Sequence, residues 1–157
     1  MAEENTQPVF NMEKIYVKDI SLEIPHAPQI FLDRDNPQID VQLHTQADSL
    51  EKGLFEVSVT ATVTARVGEN RAGEKVMFLI EVKQAGVFQV SNIPAQDMEA
   101  ILAVMCPNIL FPYLREVVSD VTVRAGFSPV LLNPINFDAL YQQQKLQAQV
   151  PASTTTH

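Results

Sequence analysis

The residues able to do chemistry in this chain are few and scattered. Histidine occurs three times, at His26, His44 and His157, and cysteine once, at Cys106. No histidine stands at metal-ligand spacing from another histidine or from the cysteine, so no metal site is expected. Cys106 would need a thiolate-stabilising neighbour to act as a nucleophile, and its flanks, MCPNI, supply none. A small residue buried at the start of a helix accounts for it better. Asp19 and Glu23 lie four residues apart on a strand-like run, about 13 Å at ~3.3 Å per residue. Paired carboxylates acting across a glycosidic bond need about 5–10 Å. There is no G-x-S-x-G, no P-loop and no H-E-x-x-H. The chain therefore reads as a binding protein, with no enzyme activity and no cofactor expected.

What remains is to ask which elements carry its apolar and acidic surface. At 157 residues and 46% hydrophobic content the chain has enough material for one globular core. The acidic, polar start MAEENTQPVF is unlike a signal peptide, and no uninterrupted apolar run reaches about 18 residues. A cytoplasmic protein without a membrane-spanning helix is expected, and the lone Cys106 agrees with a reducing compartment. A net charge of −8 disfavours nucleic-acid and anionic-membrane partners and suits a basic protein surface.

Residues 1–12 read as a flexible leader, 13–147 as a single domain, and 148–157 as a flexible tail. From Glu13 to Ile24 the apolar alternation changes phase near Lys18–Asp19, which predicts a strand with a bulge there. Asp19, Ser21 and Glu23 then share a wet face. The proline-rich stretch 25–38 predicts a long connection that carries the apolar patch Ile30-Phe31-Leu32. Ile39, Val41 and Leu43 alternate with polar residues, as do Phe55 through Val67, so both predict antiparallel strands with one buried face. Lys75–Val82 predicts a fourth strand in which Leu79 sits anomalously beside Glu81 on the outer side. Gly86-Val87-Phe88 and Ser91-Asn92-Ile93-Pro94 read as a crossover. Gln96–Met105 predicts a short helix, 127–136 a connection, and about 138–147 a C-terminal helix capped by Asn136 or Asp138.

The long helix follows Cys106. Pro107 suits a first helical turn and Gly126 the left-handed position past the end, while Pro112 predicts a kink or a late start. Its apolar residues spread around most of the girth, and one small sheet covers only one side. A second copy of the chain is the simplest cover for the rest. Strands first and helices after predict an α+β fold: a four-stranded antiparallel sheet with a long helix and a short C-terminal helix on one face.

Four blocks carry a resemblance. CPNILFPYLRE at 106–116, IYVKDISLE at 15–23, FLIEV at 78–82 and PINFDALY at 134–141 resemble, in order, the SecB family of bacterial protein-export chaperones. The resemblance runs from about Phe10 to Leu146. It implies an ATP-independent holdase that binds unfolded precursor proteins and delivers them to the SecA translocase motor. It also implies a homotetramer, a dimer of dimers, with interface residues Ile80, Val82, Gln84, Cys106, Leu110, Leu114, Val117, Val118 and Val121. The family's SecA-binding surface falls on Asp19, Glu23, Leu79 and Glu81. Client-groove candidates, taken from the crossovers and the last helix, are Phe31, Phe88, Ile93, Phe137, Leu140 and Tyr141. The alternative is a structural oligomeric adaptor that binds a fixed partner by strand addition.

Overall fold

The computed structural model describes residues 7–68 and 74–149. Strands β1 (Val9–Glu23), β2 (Gln38–Glu51), β3 (Leu54–Val67) and β4 (Lys75–Ser91) form one antiparallel sheet in the order β1-β4-β3-β2. Helices α1 (Ala95–Ala100) and α2 (Cys106–Arg124) are joined by a π-helical turn, Ile101–Met105, and α3 (Phe137–Gln149) ends the described chain. Lys52-Gly53 closes the β2–β3 hairpin with Gly53 at φ +79°, and a 3₁₀ turn at Gln29–Leu32 sits in the long first connection.

The apolar row of β3 is buried as its alternation predicts, but the other face is not fully wet, since Ser58 and Thr64 are buried as well. Val57, Val59, Ala61, Val63 and Ala65 are completely buried under the helices, beside Ile80, Val82 and Phe88 of β4. Leu110, Leu114 and Val118 of α2 fill the same core. β1 begins at Val9, inside the expected leader, and its apolar residues change parity twice. One extra residue at Glu13 and another at Lys18 interrupt the pairing with β4. Each bulge restores the phase, so Phe10, Met12, Ile15, Val17, Ile20 and Leu22 all lie on the helix side. The expected leader residues 1–6, the turn at 69–73 and the tail residues 150–157 lie outside the described residues.

Three expectations change. Gly86 to Ser91 is the second half of β4 rather than a crossover. Gly86 is close-packed within the strand: a Cβ there would stand 2.9 Å from Phe88 Cε2, 3.0 Å from Leu110 Cδ2 and 3.0 Å from the Lys14 carbonyl oxygen. The long helix neither starts late nor begins at Cys106. Helical backbone runs from Ala95 to Arg124, and Pro112 lies inside it. Cys106 N–H donates to the Ile101 carbonyl, five residues back, so the π turn shifts the carbonyls just before Pro107, which has no N–H to offer them. Finally, this helical stretch is long and apolar enough by composition to cross a membrane. It packs instead on β3 and β4, with Leu110, Leu114 and Val118 fully buried.

The end of α2 follows the sequence. Gly126, at φ +94°, lets Phe127 N–H reach the Thr122 carbonyl at 3.2 Å and its own N–H reach that of Val123 at 3.0 Å, a Schellman closure. Phe127 then stacks on Phe31 at 5.2 Å and tilts against Phe78 at 5.0 Å. Asn136 caps α3, its side-chain oxygen accepting from Ala139 N–H at 3.0 Å.

Candidate functional site

The sheet has two unlike faces, and each brings together a set of residues that could meet a partner. On the face away from the helices the register sets Asp19 opposite Lys83, Ser21 opposite Glu81 and Glu23 opposite Leu79. Asp19, Glu23 and Glu81 are exposed and Leu79 is half-buried among them. All four residues of the expected acidic surface therefore share one face of two neighbouring strands. Across β4 the row continues into Thr60, Thr62 and Thr64 of β3, and Asp40 of β2 follows opposite Thr64. Asp40 was not among the residues expected here. Its parity within β2 was readable, but strand order was not.

The same face holds a pinned cluster. Tyr16 donates its hydroxyl proton to Glu56 Oε2, and Lys18 Nζ lies 2.7 Å from Glu56 Oε1. Lys18, and then the Tyr16 hydroxyl, hold the Glu56 carboxyl below its ordinary range. Burial, with the Glu56 bond adding to it, pushes the Tyr16 phenol up to about 12. The cluster ties β1 to β3 across β4, fixing the strand that presents Asp19 and Glu23.

On the helix side α2 covers only the middle strands. The flanks stay open, and along β2 the opening is a groove of about 630 Å³. Ile39, Val41 and Leu43 form its floor, Leu131, Leu132 and Ile135 one wall, and Phe111 and Leu140 line it further. Ile39 is 46% and Val41 40% exposed, because the sheet is wider than the helix that covers it. The sequence signal was present in VLLNPI at 130–135, which carries four aliphatic residues yet reads as a plain connection.

The client-groove candidates divide accordingly. Leu140 lines the groove. Phe31 is half exposed at the far end of α2, stacked on Phe127, and Ile93 is half-buried before α1. Phe88, Phe137 and Tyr141 are buried within this chain. Phe88 belongs to β4, and Phe137 packs edge-on against Phe111 at 5.7 Å. The interface candidates are likewise mostly occupied within the chain. Ile80, Val82, Cys106, Leu110, Leu114, Val118 and Val121 face its own core, and Val117 is half-buried. What α2 and the turn before it leave open are Met105, Tyr113 and Val123. Gln84 is buried too: its Nε2 donates to the Tyr16 carbonyl at 3.1 Å, while its Oε1 has no partner.

Among the described residues no group of three His, Cys, Asp or Glu could hold a metal ion. Burial pushes the Cys106 thiol up to about 12, so it stays protonated in the folded chain. His26 and His44 are exposed and His157 lies outside the described residues.

Comparisons with known proteins point one way. The family model described as preprotein translocase subunit SecB matches residues 3–148. Curated relatives named protein-export protein SecB include one from Nitrosomonas eutropha, 55% identical, the match covering 99% of each chain. Another, from Chromobacterium violaceum, is 59% identical, covering 92% of this chain and 93% of the relative. Among solved structures, a Mycobacterium tuberculosis SecB-like chaperone in complex with an antitoxin peptide has a similar fold. Its TM-score is 0.63 at 18% identity, over 80% of this chain and 90% of that one. The match of the family model to nearly the whole chain, with relatives more than half identical over nearly their full length, establishes that this chain belongs to the SecB family.

Proposed function

We propose that this protein is an ATP-independent holdase: it keeps precursor proteins unfolded and hands them to the SecA motor of the translocase. Its coarser role, a chaperone in protein export, goes with its family. The observation that carries the finer reading is the open groove beside β2, whose lining is almost wholly apolar. Unfolded chains expose scattered aliphatic and aromatic residues, and a groove without charged anchors holds such residues without demanding one sequence. Retention then comes from several weak contacts at once, which a homotetramer, a dimer of dimers, supplies by repeating the groove. Met105, just before α2, and Tyr113 and Val123 on it give apolar surface for contact between copies. SecA docks on the opposite face, where Asp19, Glu23 and Glu81 steer a basic segment and Leu79 anchors it. The two faces let client and motor bind together. The protein works in the cytoplasm, needs no cofactor and catalyses no reaction.

The test has two arms. Purified protein suppresses aggregation of a chemically unfolded client without nucleotide, and light scattering gives about four times the 17.5 kDa chain mass. Glu81→Lys weakens SecA binding with aggregation suppression and particle mass unchanged. Parent-like SecA affinity in that variant would overturn the docking face, and failure to suppress aggregation would overturn the holdase.

A further inference from the structure

Gln84 is a polar residue in an apolar core. By register it lies on β4 between Val17 of β1 and Val59 of β3, on the helix side, and is 2% exposed. Burying an amide is unfavourable unless its groups are hydrogen-bonded. Here Nε2 donates to the Tyr16 carbonyl at 3.1 Å, while Oε1 has no partner. An apolar side chain would fill the same place without an unpaired acceptor, so what glutamine adds is the bond to Tyr16.

That bond falls at the second bulge of β1. Val17 pairs with Gln84 and Asp19 with Lys83, leaving Lys18 as the surplus residue. From the outer face Glu56 holds the same segment, accepting from the Tyr16 hydroxyl and pairing with Lys18 Nζ. Tyr16 is thus gripped by its carbonyl from the helix side and by its hydroxyl from the outer side. Apolar burial alone specifies the bulge weakly, because Val17, Ile20 and Leu22 all remain exposed within this chain. A bulge moved two residues along, to Ile20, would turn Asp19 to the helix side.

We propose that Gln84 is a positioning residue for the docking face on the other side of the sheet. Through the Tyr16 carbonyl it holds the bulge at Lys18, and together with Glu56 it keeps Asp19 turned towards the basic partner. The inference rests on the docking reading of that face and adds a residue that acts on the partner without reaching it.

The experiment titrates SecA with the full-length protein in two backgrounds, the parent and a chain lacking Lys18. Gln84→Met keeps the length of the side chain and removes both the donor and the unpaired acceptor. In the parent background it should weaken docking about fivefold or more, since affinity falls with the fraction of molecules in the competent register. Hydrogen exchange at residues 16–19 should quicken with it. Without Lys18 there is no bulge to hold, and the same substitution should leave affinity unchanged. Tyr16→Phe releases the outer grip without entering the core and should also weaken docking. Parent-like affinity of Gln84→Met overturns the proposal. So does an equal loss in both backgrounds, which a residue supporting only the core or the contact between copies would give. A chain lacking Lys18 that no longer docks overturns it too, because Asp19 then faces outward with no bulge. If Gln84→Met does not fold, Tyr16→Phe decides: weakened docking supports the held bulge and parent-like docking overturns it. Glu81→Lys is titrated beside them. Parent-like affinity there removes the docking reading itself, whereas a loss there with Gln84→Met unaffected removes this inference alone.

Discussion

Replacing Ile39 and Val41 together by threonine should weaken client binding about tenfold and leave the fold intact. Both lie on the groove floor, 46% and 40% exposed, so the surface still open to water is a little under half of each side chain. Full burial of such a side chain is worth about 1.5–3 kcal/mol. Covering what remains on the two contributes together about 1–2.5 kcal/mol to client capture. Threonine keeps one methyl and its β-branch, so the lower end applies, about 1.4 kcal/mol or a factor of ten. The hydroxyls point into an open groove where water satisfies them, which keeps the cost to folding near 1 kcal/mol or below. Affinity for a fluorescent, permanently unfolded client is measured beside thermal melting and light scattering. Parent-like affinity in a folded variant of parent-like mass would refute the groove as the client site. A variant that loses affinity only because it dissociates is recognised by its mass.

Further outcomes follow from single contacts. Gly86→Ala should destabilise by about 1–3 kcal/mol in urea melts, since its Cβ would stand 2.9 Å from Phe88 Cε2, 3.0 Å from Leu110 Cδ2 and 3.0 Å from the Lys14 carbonyl oxygen; a parent-like midpoint would show that these neighbours give way without cost. Glu56→Gln removes a carboxylate whose folded pKa lies below its ordinary 4.5. Its stabilisation is present above that value and lost as pH falls through the lower folded one. The parent should therefore melt above the variant at pH 7, by about 1 kcal/mol or less given the exposure of Lys18, and the gap should close in acid. A gap that does not change with pH would refute the ionic account. Tyr16 gives the opposite dependence: stability is present below pH 10 and falls towards about 12 as the unfolded phenol ionises first. Cys106 should resist thiol reagents in native buffer at pH 8 and react once urea unfolds the chain, because burial holds its pKa near 12; rapid native labelling would contradict that burial.

How far each element could be read depended on whether its signal was local. The buried apolar row of β3 and the Gly126 helix end both appear as expected, since each depends on a few adjacent residues. The bulge at Lys18 was visible as a phase slip. Its counterpart at Glu13 was not, because the polar residues around Phe10 and Met12 resemble a loose end until β4 pairs with them. Gly86 looked like a break since a glycine's role depends on what approaches it, and here that is a helix about 24 residues away in sequence. Pro107 looked like a helix start for the same reason: a π turn upstream is set by hydrogen bonds that no residue type announces. Of the two surfaces, the acidic face was legible in part: strand parity put Asp19, Glu23 and Glu81 outward, but strand order, which brings Asp40 beside them, could not be read. The groove was not, because Ile39 and Val41 carry the same pattern as buried strand residues, and their exposure follows only from the sheet's width relative to its helix.

The two bulges of β1 have a consequence for how this strand tolerates changes in length. Because Glu13 and Lys18 are surplus to the pairing with β4, removing either one joins residues already on their proper sides, and every downstream side chain keeps its orientation. Dropping Ser21 instead would turn Leu22 towards the outer face and Glu23 towards the helices. β1 thus carries two built-in points of slack, and elsewhere along it chain length is fixed to the residue.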